Sequence, residues 1–488
     1  MRACAAILVL ACLACLTAPP SRSRPAGRPL GVDLVVAQDG SGDFRSVQAA
    51  LDAIPEGNAR HKLILVRDGV YREKVFVTRS HVSLVGESRD GTRIEYAELR
   101  RNWRQAHPDD WGAAVINVGP EVTDLTLANL TVRNDYGRRN GGESDHQFAL
   151  RSSGNATRVA LLHATVEADG GDTLSLWNVA SGLSYHAACA FEGFVDFVCP
   201  RGWAYVTDSR FFSRSLTAAL WHDGSKDRDQ KFVVRHSRFD GVPGFPLGRN
   251  HRDGQIYLLD AWFSARMADR PIFLASPHES YQWGARHYYS GCRRDGGDFA
   301  WFADNLATAD GAPRDEEIDA RWTFGGRWDP EATLPAVLPF AALPRPENGW
   351  RFVDPDGVTL RWTRARDVRE QRLRFGRSQP PPLVARPAQD AFDTGPLEPN
   401  GRYFWRVDTL TSTGRLIEGP TWSFETRPVR IALAGDSTVT GESGWGSAAL
   451  SGSRRASSAS TTHSRLLTPA RRAWQAAPLP PTTVSAPR

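Results

Sequence analysis

The sequence lacks acidic residues at both ends and lacks any long apolar run beyond its start. Residues 1–30 contain four arginines and residues 448–488 contain six, and neither stretch contains an aspartate or a glutamate. These ten arginines exceed the net charge of +5, so residues 31–447 carry a net negative charge. The basic pI is therefore no evidence for a nucleic-acid partner. Because no later segment approaches 18 uninterrupted apolar residues, we expect no membrane span in the mature form.

Cysteine is scarce beyond the first 15 residues. Residues 1–20 have one early positive charge, a short apolar run and a proline pair, a pattern typical of a signal peptide. We therefore expect secretion to the periplasm or the extracellular space, where an odd number of cysteines is unusual. Two interpretations remain open: a disulfide between Cys189 and Cys199, or three buried free thiols with Cys292. Metal-ligand spacing is also absent, so we expect no metal and no other cofactor.

Short β-rich runs separated by Gly, Asn, Asp and Ser fill the region from Gly31 to about Asn305. Many are apolar almost throughout, which is typical of parallel strands buried on both faces. Their weak, regular recurrence favours a solenoid, and we predict an all-β domain over 31–310, a right-handed parallel β-helix. Residues 46–54 instead have helical apolar spacing, with Ser46 as N-cap and Pro55 as stop, and predict a helix covering the first coil. A β-sandwich enzyme is the alternative.

The pattern changes after residue 310. We expect 311–344 to be a linker or to pack on the outside of the helix. Residues 345–428 have well-spaced strands separated by turn residues and predict a small sandwich with Trp405 and Trp422 in its core. The stretch LEPNGRYFWRVDTL within it resembles fibronectin type III-like modules.

Residues 429–447 begin with an apolar strand that leads into Gly-Asp-Ser. This stretch resembles the nucleophile block of SGNH-family esterases of the rhamnogalacturonan acetylesterase type. Such a serine needs later Asp, His and Asn partners, but after Ser437 the chain has no Asp or Asn and only His463. We interpret the stretch as a truncated domain start followed by a low-complexity, disordered tail over 448–488. Ser437 is therefore not predicted to be catalytic.

Two aspartates stand where carboxylates are rare. Asp172 follows two glycines in GGDTL, and Asp196 interrupts the apolar run of EGFVDFV. An unpaired buried charge costs several kcal/mol, so each needs a partner. Arg249, in PLGR, is a candidate. Structural ion pairs also occupy such positions, so the pattern alone leaves a structural role open.

Six motifs in one order extend this pattern. They are AQDGSGDFRSVQAALDAIP (37–55), RDGVYREKV (67–75), HQFALR (146–151), GGDTL (170–174), EGFVDFV (192–198) and PLGR (246–249). Together they resemble divergent bacterial pectin methylesterases, also called pectinesterases. The resemblance implies a right-handed parallel β-helix that hydrolyses the methyl esters of homogalacturonan. It also implies that pectin is the partner and that no cofactor is needed. We expect a monomer.

The resemblance also implies roles for the residues. Asp196 matches the nucleophile, Asp172 the acid/base, and Arg249 the arginine that keeps the nucleophile ionised. Two nearby carboxylates do not both ionise easily, so the arginine-paired one is expected to be charged and the other protonated. An aromatic polysaccharide groove is expected from Tyr136, Trp177, Trp203, Trp221 and, at the position after Arg249-Asn250, His251.

The chain departs from the family pattern at the groups that stabilise the oxyanion. His146 stands where the family usually has a first glutamine, with Gln147 one place later on the opposite strand face. Gly171 replaces the second glutamine. His146 is the expected replacement donor, and His186 and His222 are alternatives. These departures leave two other functions open: an esterase for a different acylated or uronate-ester glycan, and a pectin-binding module that has lost catalysis.

Overall fold

The structure is a computed structural model that describes residues 31–223, 227–275, 281–334, 336–346, 348–428, 432–433 and 460–461. The expected signal peptide over 1–20, Ser437 and His463 lie outside the described residues, as does nearly all of the expected tail. Among the described residues no helix has the length and apolarity needed to cross a bilayer.

The first described part of the chain winds into a parallel β-helix, as the sequence predicted, with three sheets that each receive one strand per turn. Sheet one contains Leu34–Val36, Lys62–Val66, Val82–Gly86, Thr123–Ala128, Thr157–Leu162, Leu183–Ala187, Trp203–Thr207, Phe232–Arg235, Gln255–Leu259 and Arg286–Ser290. Sheet two contains Gly69–Tyr71, Thr92–Tyr96, Thr131–Asn134, Thr165–Ala168, Ala190–Gly193, Arg210–Ser213, Arg238–Gly241, Trp262–Phe263 and Arg293–Arg294. Sheet three contains Val75–Val77, Ala114–Val118, Phe148–Ser152, Leu174–Leu176, Val198–Pro200, Leu220–His222, Gly248–Asn250 and Phe273–Leu274.

The corner between sheets one and two is made by one residue with positive φ on most turns. Asn129, His163, Asp208 and Asp260 have φ between 51 and 54° in this corner. Asn and Asp tolerate the left-handed region better than most residues, because their short polar side chains form local hydrogen bonds. Apolar residues of all three sheets point inward and stack in one continuous core, and sheet one carries further apolar residues on its outer face. This stacking explains why the strands are apolar almost throughout.

A short helix, Val47–Asp52, covers the first coil as predicted. The Ser46 hydroxyl accepts a hydrogen bond from the Ala49 backbone N–H at 3.2 Å, which satisfies one free donor of the first turn. Val47, Ala50 and Leu51 are buried against the core. The other described helices are also short: Arg100–Ala106, Tyr136–Arg139, Ala320–Thr323 and Pro330–Thr333, with 3-10 turns at Ala300–Phe302, Leu306–Thr308 and Asp315–Glu317.

The segment after the last coil lies along the outer face of sheet one. Leu306, Phe324, Trp328 and Leu338 form an apolar cluster with outward-facing residues of that sheet, including Tyr185. The Tyr185 hydroxyl also donates to Glu331 at 3.1 Å. Sheet one is therefore covered on both faces.

Two further sheets form a small sandwich. One contains Ala342–Arg345, Thr359–Thr363 and Ala391–Asp393; the other contains Trp350–Val353, Glu370–Gly376, Leu383–Ala385, Arg402–Leu410, Leu416–Ile417 and Trp422–Thr426. Trp405 and Trp422 pack in its core with ring centroids 4.6 Å apart. The pairing is antiparallel except between Trp350–Val353 and Trp422–Thr426. Beyond the sandwich, Ala432–Leu433 pairs with Ser460–Thr461 in parallel.

Candidate active site

Asp172 and Asp196 occupy the same position on two consecutive coils. Each lies two residues before a sheet-three strand, and those strands pair Leu174 with Val198. Both aspartates have positive φ, 57 and 51°, and each donates its backbone N–H to the next coil, to Val195 and Ala218. Both carboxylates are almost fully buried, with 6% and 5% exposure. The two carboxylates therefore lie on neighbouring rungs about 4.8 Å apart along the helix axis.

Arg249 holds Asp196 through both carboxylate oxygens. Its Nε donates to Oδ1 at 3.0 Å and its Nη2 to Oδ2 at 2.6 Å, a bidentate pair of the strong, orientation-fixing kind. Arg249 comes from the second coil after Asp196, where it pairs in register with Trp221, and its guanidinium lies 4.7 Å from the Trp221 ring centroid. Burial raises the pKa of Asp196 to about 6, although Arg249 acts in the opposite direction. Asp196 is thus mostly ionised only above about pH 6.

Asp172 also has an arginine partner, Arg201, which was not among the predicted site residues. Arg201 Nη2 donates to Asp172 Oδ2 at 3.2 Å, and its other nitrogens donate to Ser175 Oγ at 2.9 Å and Asp223 Oδ2 at 2.7 Å. The Arg201 guanidinium is buried and lies 3.7 Å from the Trp177 ring centroid. The expectation that only Asp196 would be arginine-paired is therefore wrong. The available signal was an arginine directly after the apolar strand that follows Asp196.

His146 faces Asp172 from the preceding coil. Its Nε2 is 3.9 Å from Asp172 Oδ1, and its Nδ1 is 2.8 Å from Asp145 Oδ1. Because Asp145 accepts a hydrogen bond, the single N–H of a neutral His146 belongs on Nδ1, which leaves a lone pair on Nε2. A neutral His146 in this geometry has no N–H for an oxyanion, contrary to the hypothesis drawn from the sequence.

Gln147 points away from the two aspartates. It is fully buried, its Oε1 accepts the Gly137 N–H at 3.0 Å, and its Nε2 donates to the Glu143 carbonyl at 2.6 Å. Alternation along the strand places it opposite His146. Both ends of its amide are hydrogen-bonded to backbone groups. The prediction that Gln147 is a site residue is therefore wrong.

Gly171 removes a side chain between the coils. A Cβ at this position would lie 2.8 Å from Val195 Cγ1 and 3.9 Å from the His146 ring. A larger residue here would therefore need Val195 to move. The second glutamine of the family pattern has no counterpart at this place.

Asp172 and Asp196 open into a cavity of about 210 Å³. Guanidinium groups dominate its wall, since the cavity is lined by Arg100, Asp110, His146, Phe148, Arg151, Asp172, Trp177, Asp196, Arg201, Trp221 and Arg249. Arg100 and Arg151 share Asp110, at 2.9 and 3.0 Å. Burial lowers the pKa of Arg151 to about 10, and it remains charged at neutral pH. The cavity thus carries four arginines against three aspartates.

The expected groove aromatics have different locations. Trp177 and Trp221 line the cavity, and the His251 ring centroid is 5.0 Å from that of Trp221. Tyr136 does not line the cavity; its hydroxyl accepts a hydrogen bond from Asn102. Trp203 is wrong as a groove residue, because it lies on the outer face of sheet one, buried beneath Arg327.

The two alternative histidines cannot replace the missing donors. His186 and His222 are buried at 0% and 1% exposure, and His222 contacts the Gly202 carbonyl. Neither lines the cavity that contains Asp172 and Asp196.

Cys189, Cys199 and Cys292 are buried free thiols, so the disulfide interpretation is wrong. The described part of the chain has no cluster of three or more His, Cys, Asp or Glu residues suited to a metal ion.

Comparison with known proteins agrees with this architecture. Residues 33–231 match the family model described as Pectinesterase. The chain is 31% identical over 180 residues to the probable pectinesterase/pectinesterase inhibitor 23 of Arabidopsis thaliana, covering 35% of this chain and 28% of that protein. It is 38% identical over 362 residues to pectinesterase 4 of the same plant, covering 66% of this chain and 56% of that protein. The chain thus spans well under two thirds of the length of these relatives.

Solved structures share the fold. A pectin methylesterase in complex with a hexasaccharide superposes with a TM-score of 0.51 at 20% identity, covering 62% of this chain and 99% of that one. The pectin methylesterase from Erwinia chrysanthemi gives a TM-score of 0.50 at 20% identity, with the same coverage. These values establish the fold alone. Together with the family match, they show that residues 33–231 are similar to pectinesterases in sequence and that the β-helix shares the fold of these structures.

Proposed function

We propose that the β-helix is a carboxylic ester hydrolase that demethylates pectin, releasing methanol and leaving galacturonate carboxylates. The observation that carries the proposal is the pair of buried aspartates on consecutive coils, each held by its own arginine at the floor of one cavity. A structural ion pair alone would not need two carboxylates facing the same opening.

In the proposed mechanism Asp196 is the nucleophile. One Asp196 oxygen attacks the C6 ester carbonyl, forming a tetrahedral oxyanion. Arg249 holds the carboxylate in a fixed orientation, so little reorganisation accompanies the attack. Collapse of the oxyanion breaks the bond to methoxide and leaves an acyl-enzyme anhydride.

Asp172 supplies and recovers the proton. In this step Asp172 delivers the one proton that the carboxylate pair holds to the departing methoxide, and its carboxylate then takes a proton from the water that attacks the anhydride. Arg201 and Ser175 orient this carboxylate from one side while His146 Nε2 lies on the other. The Asp145–His146 pair is well placed to act as a positioning pair for Asp172, because Asp145 fixes the imidazole ring and its tautomer.

Positive charge takes the place of the missing glutamine amides. Arg151, Arg201 and Arg249 all line the cavity, and a preorganised guanidinium stabilises a developing oxyanion as an amide donor does. The same charges suit a polymer of uronate units, and the Trp177 and Trp221 rings offer faces for sugar rings. An esterase for a different uronate ester or an acetylated glycan is the second candidate, and the absence of a side chain at Gly171, where the family pattern has a glutamine, favours it.

Methanol release from highly methylated pectin tests the proposal directly. Wild type is expected to release methanol, and Asp196→Asn is expected to release none above background while keeping its thermal unfolding temperature within a few degrees. Acetate release from acetylated but not methylated pectin would instead select the second candidate. Pectin binding without any release would leave a binding module and overturn the esterase proposal.

We further propose that the sandwich over 345–428 is a fibronectin type III-like module and that the mature chain is an exported bacterial monomer. Support comes from the LEPNGRYFWRVDTL motif with its paired core tryptophans and from the signal-like residues 1–20. Size-exclusion chromatography with light scattering on protein recovered from the culture medium tests both export and the oligomeric state.

A further inference from the structure

A second, larger cavity lies between the β-helix and the sandwich, away from Asp172 and Asp196. Its volume is about 830 Å³, within the range of sites that hold small ligands. The β-helix contributes Arg238, Trp262 and Arg293, and the sandwich side contributes Trp350, Arg351 and Arg427. We call this set the arginine–tryptophan cleft.

On the β-helix wall of the cleft, three side chains form a row across neighbouring strands, which we call the ladder. Arg238 pairs in register with Trp262, and Trp262 pairs with Arg293, so the three side chains stand on three consecutive strands of sheet two. Their chain neighbours Phe239 and Phe263 are buried in the core, which places the ladder on the outer face. A guanidinium therefore stands one strand, about 4.8 Å, to each side of an indole ring.

The sandwich completes the opposite wall. The Arg351 guanidinium lies 5.2 Å from the Trp262 ring centroid, and the Arg238 guanidinium lies 5.7 Å from the same ring. Trp350 contacts His236 edge to face at 5.6 Å. The indole Nε1 of Trp262 is buried and has no hydrogen-bond acceptor among the described residues.

Two carboxylates, Asp260 and Asp356, line the cleft beside its four arginines, and Asp260 is itself paired with Arg235 and His236. Arg351 pairs with Glu425 at 3.4 Å and Arg427 with Asp354 at 2.7 Å. For Arg238 and Arg293, by contrast, no carboxylate of the described residues lies within ion-pair distance. Burial and the nearby Arg351 lower the pKa of Arg238, while Asp295 and Asp240 act in the opposite direction. A bound anion would offset the desolvation of this guanidinium.

We propose that the arginine–tryptophan cleft is a second binding site for an acidic oligosaccharide with free uronate carboxylates. Arginine forks match carboxylates bidentately, and indole faces pack against sugar rings. A linear chain carrying a carboxylate on each unit can pair with Arg238 and Arg293 while one ring covers Trp262. The choice of uronate rests on the proposed function, because demethylation produces such carboxylates. The site would hold the enzyme on the de-esterified part of its polymer.

Calorimetric titration of the full chain with a short, fully de-esterified galacturonate oligomer tests the proposal. The titration is done in Asp196→Asn, which removes turnover. We expect two sites per chain in Asp196→Asn, and one site after adding Arg238→Ala and Arg293→Ala. Loss of two charge-assisted pairs should weaken binding at the cleft by at least about 100-fold. Binding there should also weaken as salt is raised.

Arg72→Ala with Arg314→Ala is the matched control, because it removes two exposed arginines that do not line either cavity. It should keep both sites. Arg238→Lys with Arg293→Lys should keep part of the affinity, which separates lost charge from lost folding. Equal binding of the methyl-esterified oligomer at the cleft, or unchanged stoichiometry in the alanine variant, would overturn the proposal. The variant Arg238→Ala with Arg293→Ala that retains Asp196 should still release methanol. Failure of the second-site proposal can therefore be told apart from failure of the esterase proposal.

Discussion

The two clefts of this molecule use the same side chains for different ends. Both present arginines beside indole rings, but the arginine–tryptophan cleft takes two of its arginines from the β-helix and two from the sandwich. In the 210 Å³ cavity the key guanidiniums are neutralised by buried carboxylates, Arg249 by Asp196 and Arg201 by Asp172. In the arginine–tryptophan cleft, Arg238 and Arg293 have no such partner among the described residues. If both proposals hold, buried carboxylates are what distinguish a reactive site from an anion-binding site in this molecule.

Asp196→Asn should have the largest effect, because it removes the proposed nucleophile. We expect methanol release to fall by at least about 1000-fold, comparable to loss of other covalent nucleophiles. The isosteric amide keeps the shape of the corner and one hydrogen bond to Arg249. Oligogalacturonate binding at the arginine–tryptophan cleft should not change. Substantial methanol release from this variant would show that Asp196 is not the nucleophile and that the two clefts do not differ in having a reactive carboxylate.

Arg249→Met should have the next largest effect. Arg249 opposes the burial that raises the pKa of Asp196 to about 6, so its loss should raise that pKa further. A smaller fraction of Asp196 is then ionised at pH 7, and the orientation of its carboxylate is lost. We expect kcat/KM to fall about 100-fold at pH 7, equivalent to roughly 3 kcal/mol in the transition state.

The pH dependence of kcat/KM distinguishes a raised Asp196 pKa in Arg249→Met from misfolding of the variant. Wild-type kcat/KM should fall about tenfold per pH unit below about pH 6, as the nucleophile becomes protonated. In Arg249→Met the same limb should appear at higher pH, and Arg249→Lys should lie between the two. An unmoved limb in Arg249→Met would show that the ion pair does not set the charge of Asp196.

The ionisation of Asp196 should also make stability depend on pH. Stability should fall as the pH rises, whereas activity should rise. Asp196 has a higher pKa in the folded chain than its usual 3.8, so its ionisation is less favourable in the folded state. This contribution to stability is fully present below about pH 4 and is lost as the pH rises through about 6. The expected loss is about 3 kcal/mol at most. The free energy of unfolding in urea, measured for wild type and for Asp196→Asn between pH 4 and about 7, tests this. A difference between the two proteins that does not change with pH would contradict the prediction.

Much of this arrangement was predictable, and the reasons for the failures are physical. Strand recurrence predicted the solenoid, and the ordered motifs led to Asp172, Asp196 and Arg249. Arg201 was missed because its partner lies 29 residues earlier and comes close only through the coil spacing. Trp203 was misplaced because a strand pattern does not reveal which of the three sheets the segment after residue 305 packs against.

The smallest effects should come from His146 and Gln147, two adjacent residues just before the strand Phe148–Ser152. His146→Ala removes a group that contacts Asp172 from the cavity side, and we expect about tenfold lower kcat with unchanged stability. Gln147→Ala leaves two buried backbone groups without partners, and we expect a loss of about 1–3 kcal/mol of unfolding free energy with unchanged kcat. Methanol release and urea unfolding on both variants separate the two roles. Full activity in His146→Ala would remove the positioning role, because the cavity would then reach its rate with Asp172, Asp196 and their arginines alone.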